Sequence, residues 1–295
     1  MRIIILSRNK NLYSTRRIIE ESNKKGHQTL VVDYMHCNLI NEKNKPVIEF
    51  KANPISQIDA IIPRIGSTFT AYGASIIRQF EIQNIPTIVS SDALIRARDK
   101  LQCLQNLTRF KLDTPKTFFT HYFYNMEKII DTVGGFPFII KHLEGTQGHG
   151  VFLIKNLKQA NDIIQVEQSA NKKIIFQEFI EESNGADIRA FVVGNKVIAA
   201  MKRQAKAGEF RSNLHQGGKG LNIELSPEEK EAAIQATKAM ELGVAGVDML
   251  QSKRGPLIIE VNASPGLEGI EKTTKINIAE EIIKYIEEHY ENCRS

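Results

Sequence analysis

The chain has 295 residues, with 39 lysines and arginines against 34 aspartates and glutamates, for a formal net charge of +5. Hydrophobic residues make up 42% and charged residues 25%, and 19 glycines with 9 prolines stay under a tenth of the length, which excludes a disordered or collagen-like chain. No apolar run approaches the roughly 20 residues that span a bilayer, and the length suits about two domains.

Arg2–Leu6 reads as an apolar strand that turns polar at Ser7-Arg8-Asn9-Lys10, too soon for a signal peptide. A helix over Tyr13–Lys25 is closed by Gly26. Thr29–Val32 and Ala60–Ile62 read as buried strands, and a helix over Thr70–Gln83 precedes Pro86-Thr87-Ile88-Val89. This alternation predicts a parallel sheet covered by helices. The first turn, Ser7-Arg8-Asn9, has no glycine, so the dinucleotide fingerprint is absent. The three cysteines, Cys37, Cys103 and Cys293, are odd in number and lack metal-type spacing, which points to a reduced, cytoplasmic setting without structural disulfides. Basic residues are interleaved with acids throughout, so charge alone assigns neither a nucleic acid nor a membrane as partner.

Ser91-Asp92 is expected to cap one helix from about Ala93 to Arg109, ending before Pro115. Beyond it, strands joined by glycine-marked turns take over. Phe136–Lys141 and Val151–Ile154 flank a glycine-rich segment, Ile174–Phe179 follows, and Ile188–Val193 pairs with Lys196–Met201 through Gly194-Asn195. Ser226-Pro227-Glu228-Glu229 is a capping box that opens a helix to about Glu241. A last hairpin, Val247–Gln251 with Pro256–Val261, precedes a helix over Ile276–Tyr290.

That hairpin carries the strongest chemical signal. Counting outward from Arg254 sets Asp248 opposite Glu260, with Asn262 on the face of Glu260. Two carboxylates facing each other on apolar strands call for a cation. Hard oxygens without His or Cys select Mg²⁺ or Mn²⁺ over zinc or copper, and magnesium at such a site implies substrate phosphates. A solvated Asp248 with Glu260 paired to an arginine is the plain alternative.

Glu144-Gly145-Thr146-Gln147-Gly148-His149-Gly150 reads as a phosphate-approaching flap or as a structural turn, and it lacks the ending of a Walker loop. Lys141, at the end of an apolar strand, must reach solvent or an anion. Glu178 interrupts an apolar strand end suited to an adenine slot, and Asp187 is placed to accept from ribose hydroxyls. Arg203 and Arg211, near Asn213 and His215, are candidates for gripping anionic oxygens; a solvated basic loop is the alternative.

Lys100, Lys141, the 144–150 flap, Glu178, Asp187, Arg203, Arg211-Ser212-Asn213, Asp248, Glu260 and Asn262 stand in the order of the ATP-grasp superfamily. Within it the chain resembles the α-L-glutamate ligases that modify a ribosomal protein. The strings that carry this are Ile62-Pro63-Arg64-Ile65-Gly66, Arg96-Ala97-Arg98-Asp99-Lys100, Glu144-Gly145-Thr146-Gln147-Gly148, Phe210-Arg211-Ser212-Asn213 and the run from Glu260 to Glu271. The likeness extends from residue 1 to about 287.

The resemblance implies an α/β N-terminal domain over about 1–95, then an α+β ATP-grasp fold over about 96–290. That fold divides into a lid subdomain (about 104–177) and a C-terminal antiparallel-sheet domain (about 178–290). It implies ATP and two Mg²⁺ (or Mn²⁺) ions as cofactors. Lys100 and Lys141 would contact phosphates; Glu178, Phe179, Ile180 and Glu181 would hold adenine, and Asp187 the ribose. Arg211, Ser212 and Asn213 would complete the nucleotide site, with Asp248, Glu260 and Asn262 as metal ligands and Glu260 bridging. Arg203, with Lys141, would be catalytic, stabilising an acyl-phosphate or tetrahedral oxyanion. The implied reaction joins L-glutamate to a carboxylate, expected at the C-terminus of a small-subunit ribosomal protein, in a cytoplasmic enzyme for which a homotetramer is the expectation. Ligation to a peptide, an amino-group carrier protein or a cofactor precursor, a kinase activity, or a nucleotide-sensing module are the alternatives.

Overall fold

The computed structural model describes residues 1–43, 45–121, 125–143, 150–206, 209–210 and 218–294, with residues 292–294 described by backbone only. Strand β1 (Arg2–Leu6) leads to helix α1 (Tyr13–Lys24) and β2 (Gln28–Val32). A small antiparallel sheet follows, of β3 (Cys37–Glu42), β4 (Lys45–Phe50) and β5 (Asn53–Pro54), then β6 (Ala60–Pro63) and α2 (Thr70–Ile82). Strands β2, β1 and β6 pair in parallel in that order. Ile3 to Leu6 and Ala60 to Ile62 are buried, as expected for strands covered on both faces.

The single helix expected from Ala93 to Arg109 is two helices, α3 (Ser91–Arg98) and α4 (Lys100–Arg109). Asp99 breaks them: its backbone is extended, and its carboxylate accepts from the amides of Leu101 and Gln102. Ser90, rather than Ser91-Asp92, caps α3 by accepting from the Ala93 amide. The break turns Arg98 and Lys100 out of one continuous helix surface and brings both to the same cavity.

Next come β7 (Thr117–Phe119), α5 (Met126–Val133), β8 (Phe138–His142), β9 (Val151–Ile154), α6 (Leu157–Ser169) and β10 (Ile174–Glu178). The four strands form an antiparallel sheet in the order β7-β10-β8-β9. The helices cover it with a core of its own, in which Phe138, Ile140 and Phe176 are the central strand residues. Gly150, with φ of +71°, lies so close to the His142 ring that no side chain fits there.

Residues 179–185 cross to the largest sheet. It contains β11 (Ala186–Val193), β12 (Lys196–Gln204), β13 (Lys219–Asn222), β14 (Val244–Ser252) and β15 (Gly255–Asn262), with α7 (Pro227–Ala239) between β13 and β14. The order is β13-β12-β11-β14-β15, all antiparallel. Gly194-Asn195 forms the expected two-residue turn, and Ser226 and Glu229 complete the capping box reciprocally. Helices α8 (Glu268–Thr274) and α9 (Ile278–Arg294) return to α1 and close one core shared by the N-terminal sheet and the five-stranded sheet. No described helix is long and apolar enough to cross a membrane.

Candidate active site

The hairpin β14–β15 pairs Asp248 with Glu260, as the sequence predicts, but by a different route. The turn is the two-residue Lys253-Arg254, since Ser252 pairs with Gly255 and Met249 with Ile258. Continued regularly, that register would put Ile259 opposite Asp248 and turn Glu260 to the core side. A bulge at Ile259 inserts one residue and restores Glu260 to the face of Asp248. Val247 and Val261 then point together into the core.

Asp248 is 4% exposed and Glu260 is open to solvent. The cations offsetting Asp248 are arginines. Arg189, its cross-strand partner on β11, donates through Nε to Oδ1 and through Nη2 to Oδ2, both at 2.6 Å. Arg203 Nη2 lies 2.9 Å from Oδ2. Arg203 also grips its own cross-strand partner Asp187 with two bonds of 2.6 Å. Asp187, Arg189, Arg203, Asp248 and Glu260 thus form one ladder of charge across four strands. Burial alone would push the Asp248 carboxyl up, but the two guanidinium groups outweigh it and hold the carboxyl below its usual range. Burial likewise opposes the charge of Arg203, and Asp248 and Asp187 outweigh it, so its pKa is raised.

Arg189 was missed from the sequence, although Asp187-Ile188-Arg189 has the two-residue spacing that puts both charges on one strand face. Asp187 is buried against Arg203, so its carboxylate is occupied within the sheet; the expectation of a ribose acceptor does not anticipate this. Arg203 is 5% exposed and occupied by the same pair.

Asn262 lies beside Glu260 on the same strand. With its amide nitrogen toward Glu260 it donates to Oε1 at 3.1 Å, while its oxygen accepts from Arg189 at 3.2 Å. Glu260 and Asn262 thus offer accessible hard oxygens that suit a divalent ion, while both oxygens of Asp248 are engaged by arginines. Among the described residues no cluster of three or more His, Cys, Asp or Glu offers an alternative centre.

Glu260 and Asn262 line a cavity of about 700 Å³ together with Arg98, Lys100 and Lys141. Lys141, on the four-stranded sheet, donates to Gln177 Oε1 at 2.9 Å, and Lys100 donates to the Leu143 carbonyl at 2.9 Å. Burial lowers the Lys141 pKa, Glu260 opposes that and Lys100 reinforces it, leaving the ammonium titrating at about 8. Cys103 lines the same cavity, but burial pushes its thiol up to about 12, which makes it wall and not nucleophile.

The segment from Glu178 to Glu181 joins the four-stranded sheet to the five-stranded sheet. Glu178 accepts from the Lys116 amide at 3.0 Å and from Arg254 at 2.7 Å, tying the four-stranded sheet to the β14–β15 turn. Phe179 is half-buried, Ile180 buried and Glu181 exposed. The flap residues Glu144–His149, and Arg211, Ser212, Asn213 and His215, lie outside the described residues.

Residues 97–286 match the RimK-like ATP-grasp domain, and residues 1–94 match the RimK PreATP-grasp domain. The chain belongs to the RimK-like ATP-grasp family. Its reaction class is that of an ATP-dependent carboxylate–amine ligase. A protein named probable alpha-L-glutamate ligase from Vibrio vulnificus (strain YJ016) is 51% identical over 289 residues, which cover 98% of this chain and 96% of the relative. One of the same name from Azotobacter vinelandii (strain DJ / ATCC BAA-1303) is 49% identical over 292 residues, covering 99% and 97%. A solved structure of the ATP-grasp ligase PsnB complexed with minimal precursor, Mg, and ADP has a TM-score of 0.75 at 17% identity, covering 98% of each chain. This RimK-like chain thus shares its fold with ligases far from it in sequence.

Proposed function

We propose that this protein is an ATP-dependent α-L-glutamate ligase that activates a carboxylate as its acyl phosphate and joins L-glutamate to it. The observation that carries the reading is the convergence of Glu260 and Asn262 with Lys100 and Lys141 on one cavity, with Asp248 behind Glu260. The names of relatives about half identical over nearly the whole chain supply glutamate.

Asp248, Glu260 and Asn262 are the residues that would hold magnesium, or manganese, with Glu260 shared if two ions bind. Such ions supply charge neutralisation at the β- and γ-phosphoryl oxygens. Lys141 and Lys100 hold the phosphates from the opposite side. A carboxylate oxygen of the acceptor attacks the γ-phosphorus and ADP leaves. The unprotonated α-amine of L-glutamate then attacks the acyl carbon, and the carbon–oxygen bond to phosphate breaks with its electron pair on phosphate. The amine proton is lost and an amide remains. Arg203 faces the oxyanion of the tetrahedral intermediate, a donor position worth about 2.7–4 kcal/mol. Asp187 we assign to holding Arg203 in place, instead of binding ribose. Backbone and side chains of Glu178, Phe179, Ile180 and Glu181 receive adenine, and Arg211, Ser212 and Asn213 complete the nucleotide site. Residues 104–177 act as a lid that excludes water from the acyl phosphate.

The acceptor we propose is a protein C-terminus, that of a small-subunit ribosomal protein, in a homotetrameric cytoplasmic enzyme. Incubating enzyme, ATP and Mg²⁺ with that protein and L-glutamate should give a mass ladder of added glutamates. ADP and phosphate should appear only when acceptor and glutamate are both present. Phosphorylated acceptor without free phosphate would make the protein a kinase, and amide formation on a carrier protein or small peptide alone would move the acceptor.

A further inference from the structure

The same cavity is also lined by Arg98, at the end of α3, and by the hydroxyl residues Ser67, Thr68 and Thr70. Arg98 Nη2 donates to the Ile65 carbonyl at 2.8 Å, whereas its Nε is buried without a hydrogen-bond partner. Arg64 stands beside it and donates to the Pro265 carbonyl at 2.6 Å. Neither arginine forms an ion pair among the described residues. Among the described residues, the hydrogen bonds of these two adjacent guanidinium groups run to neutral carbonyl oxygens, although each is costly to bury without an anion. Burial and then Arg98 press the Arg64 pKa down to about 10, as expected beside a like charge.

Only two buried side-chain polar atoms lack a partner among the described residues: Arg98 Nε and Ser264 Oγ. Ser264 adjoins both Ala263, which lines the cavity, and Pro265, which receives Arg64. Both orphans therefore fall at the corner that holds the arginine pair. The remaining N–H of a guanidinium next to hydroxyls matches a carboxylate. Arg98 is also near enough to Glu260 to feel its charge, which sets a ligand bound there beside the reacting centre.

We propose that Arg98, backed by Arg64, binds a non-reacting carboxylate of the incoming amino acid and so selects a dicarboxylic amino acid. This rests on the ligase reading above. Lys100 and Lys141 serve the phosphates, and Arg98 with Arg64 serves the amino acid.

The test is Arg98→Met, which keeps the apolar stem, with Arg98→Lys as a conservative partner. Steady-state turnover is measured with L-glutamate, ATP and acceptor varied in turn. Arg98→Met should raise KM for L-glutamate about 10- to 100-fold while KM for ATP and acceptor stays within about twofold, because one charge-assisted bond is lost. Arg98→Lys should recover part of the loss. L-glutamine and L-isoglutamine, each lacking one carboxylate, identify which one is held: the wild-type preference over one of them should disappear in Arg98→Met. Calorimetric titration of L-glutamate into enzyme with Mg²⁺ and a non-hydrolysable ATP analogue reads the same site without turnover. It separates a failure of this site from a failure of the ligase reading, and retained analogue binding shows that the variant is folded. A rise in KM for ATP alone would assign Arg98 to phosphate, and a rise for acceptor alone would assign it to the other substrate; either result, or unchanged glutamate binding, overturns the proposal.

Discussion

The two walls of the cleft treat charge in opposite ways. On the five-stranded sheet, Asp187, Arg203, Asp248 and Arg189 satisfy one another at 2.6–2.9 Å, the first three almost excluded from water. On the facing wall, the described hydrogen bonds of Lys141, Arg98 and Arg64 run to neutral oxygens. A charge paired within the protein fixes geometry. A charge supported by an amide or carbonyl keeps most of its attraction for a ligand, so the first wall is built for position and the second for binding.

Glu260 stands between them: it belongs to the ladder by register, yet it is exposed. The largest effect should come from it. Glu260→Gln should reduce ADP release at least about 10³-fold, with unfolding free energy within about 0.5 kcal/mol of wild type, because an exposed carboxylate contributes little to stability. Turnover at the wild-type rate would falsify the metal assignment. Asp248→Ala should, unlike Glu260→Gln, also destabilise the fold. It strands Arg189 and removes one of the two acids that hold the buried Arg203, and should cost about 3–5 kcal/mol in urea unfolding. A loss below about 1 kcal/mol would mean that the ladder does not depend on its central acid.

The binding wall has a pH signature. Lys141 titrates at about 8 here, against an ordinary 10.5. Its ammonium is present below pH 8 and lost above it, so the dissociation constant for ATP should rise towards tenfold per unit above pH 8 in the wild type. Lys141→Arg, charged throughout, should flatten that rise. The stability effect has the reverse sign. Between about pH 8 and 10.5 the unfolded chain binds the extra proton, so this group makes the fold more stable as pH rises through that window. Lys141→Met should weaken ATP binding about 10- to 100-fold at pH 7 without lowering the melting temperature. Unchanged affinity would remove Lys141 from the site.

The difference between the walls also explains what could be read in advance. Local patterns were legible: the parallel strands Arg2–Leu6 and Ala60–Pro63, the Gly194-Asn195 turn and the Ser226 capping box follow from periodicity and short-range chemistry. The facing of Asp248 and Glu260 was legible too, although symmetric counting about Arg254 reached it without the bulge at Ile259. The antiparallel sheet over 37–54 and the break at Asp99 were not, because paired strand edges and one capping aspartate leave little mark on hydrophobic periodicity. Arg189 and Asp248 are 59 positions apart, and Arg64 reaches a carbonyl 201 positions away. Such partners exist only once the sheets are assembled.

The smallest effect tests whether the neutral supports only orient the cations. Gln177 accepts from Lys141 at 2.9 Å and donates to Thr117 Oγ1 at 2.8 Å, which anchors the lysine to the edge of the four-stranded sheet. Gln177→Ala removes one hydrogen bond and leaves the charge in place. Nucleotide binding should weaken only about 2- to 10-fold, the range for a bond of about 0.5–1.5 kcal/mol, with kcat near the wild-type value. Gln177→Glu should do something different in kind. A carboxylate there would pair with Lys141, turn the binding wall locally into the other kind, and raise the lysine pKa, so the pH dependence of ATP binding should move above 8 while affinity at pH 7 falls further than in Gln177→Ala. If the glutamate variant bound ATP as well as the alanine variant did, pairing within the protein would not compete with the ligand, and the contrast between the two walls would lose its physical basis.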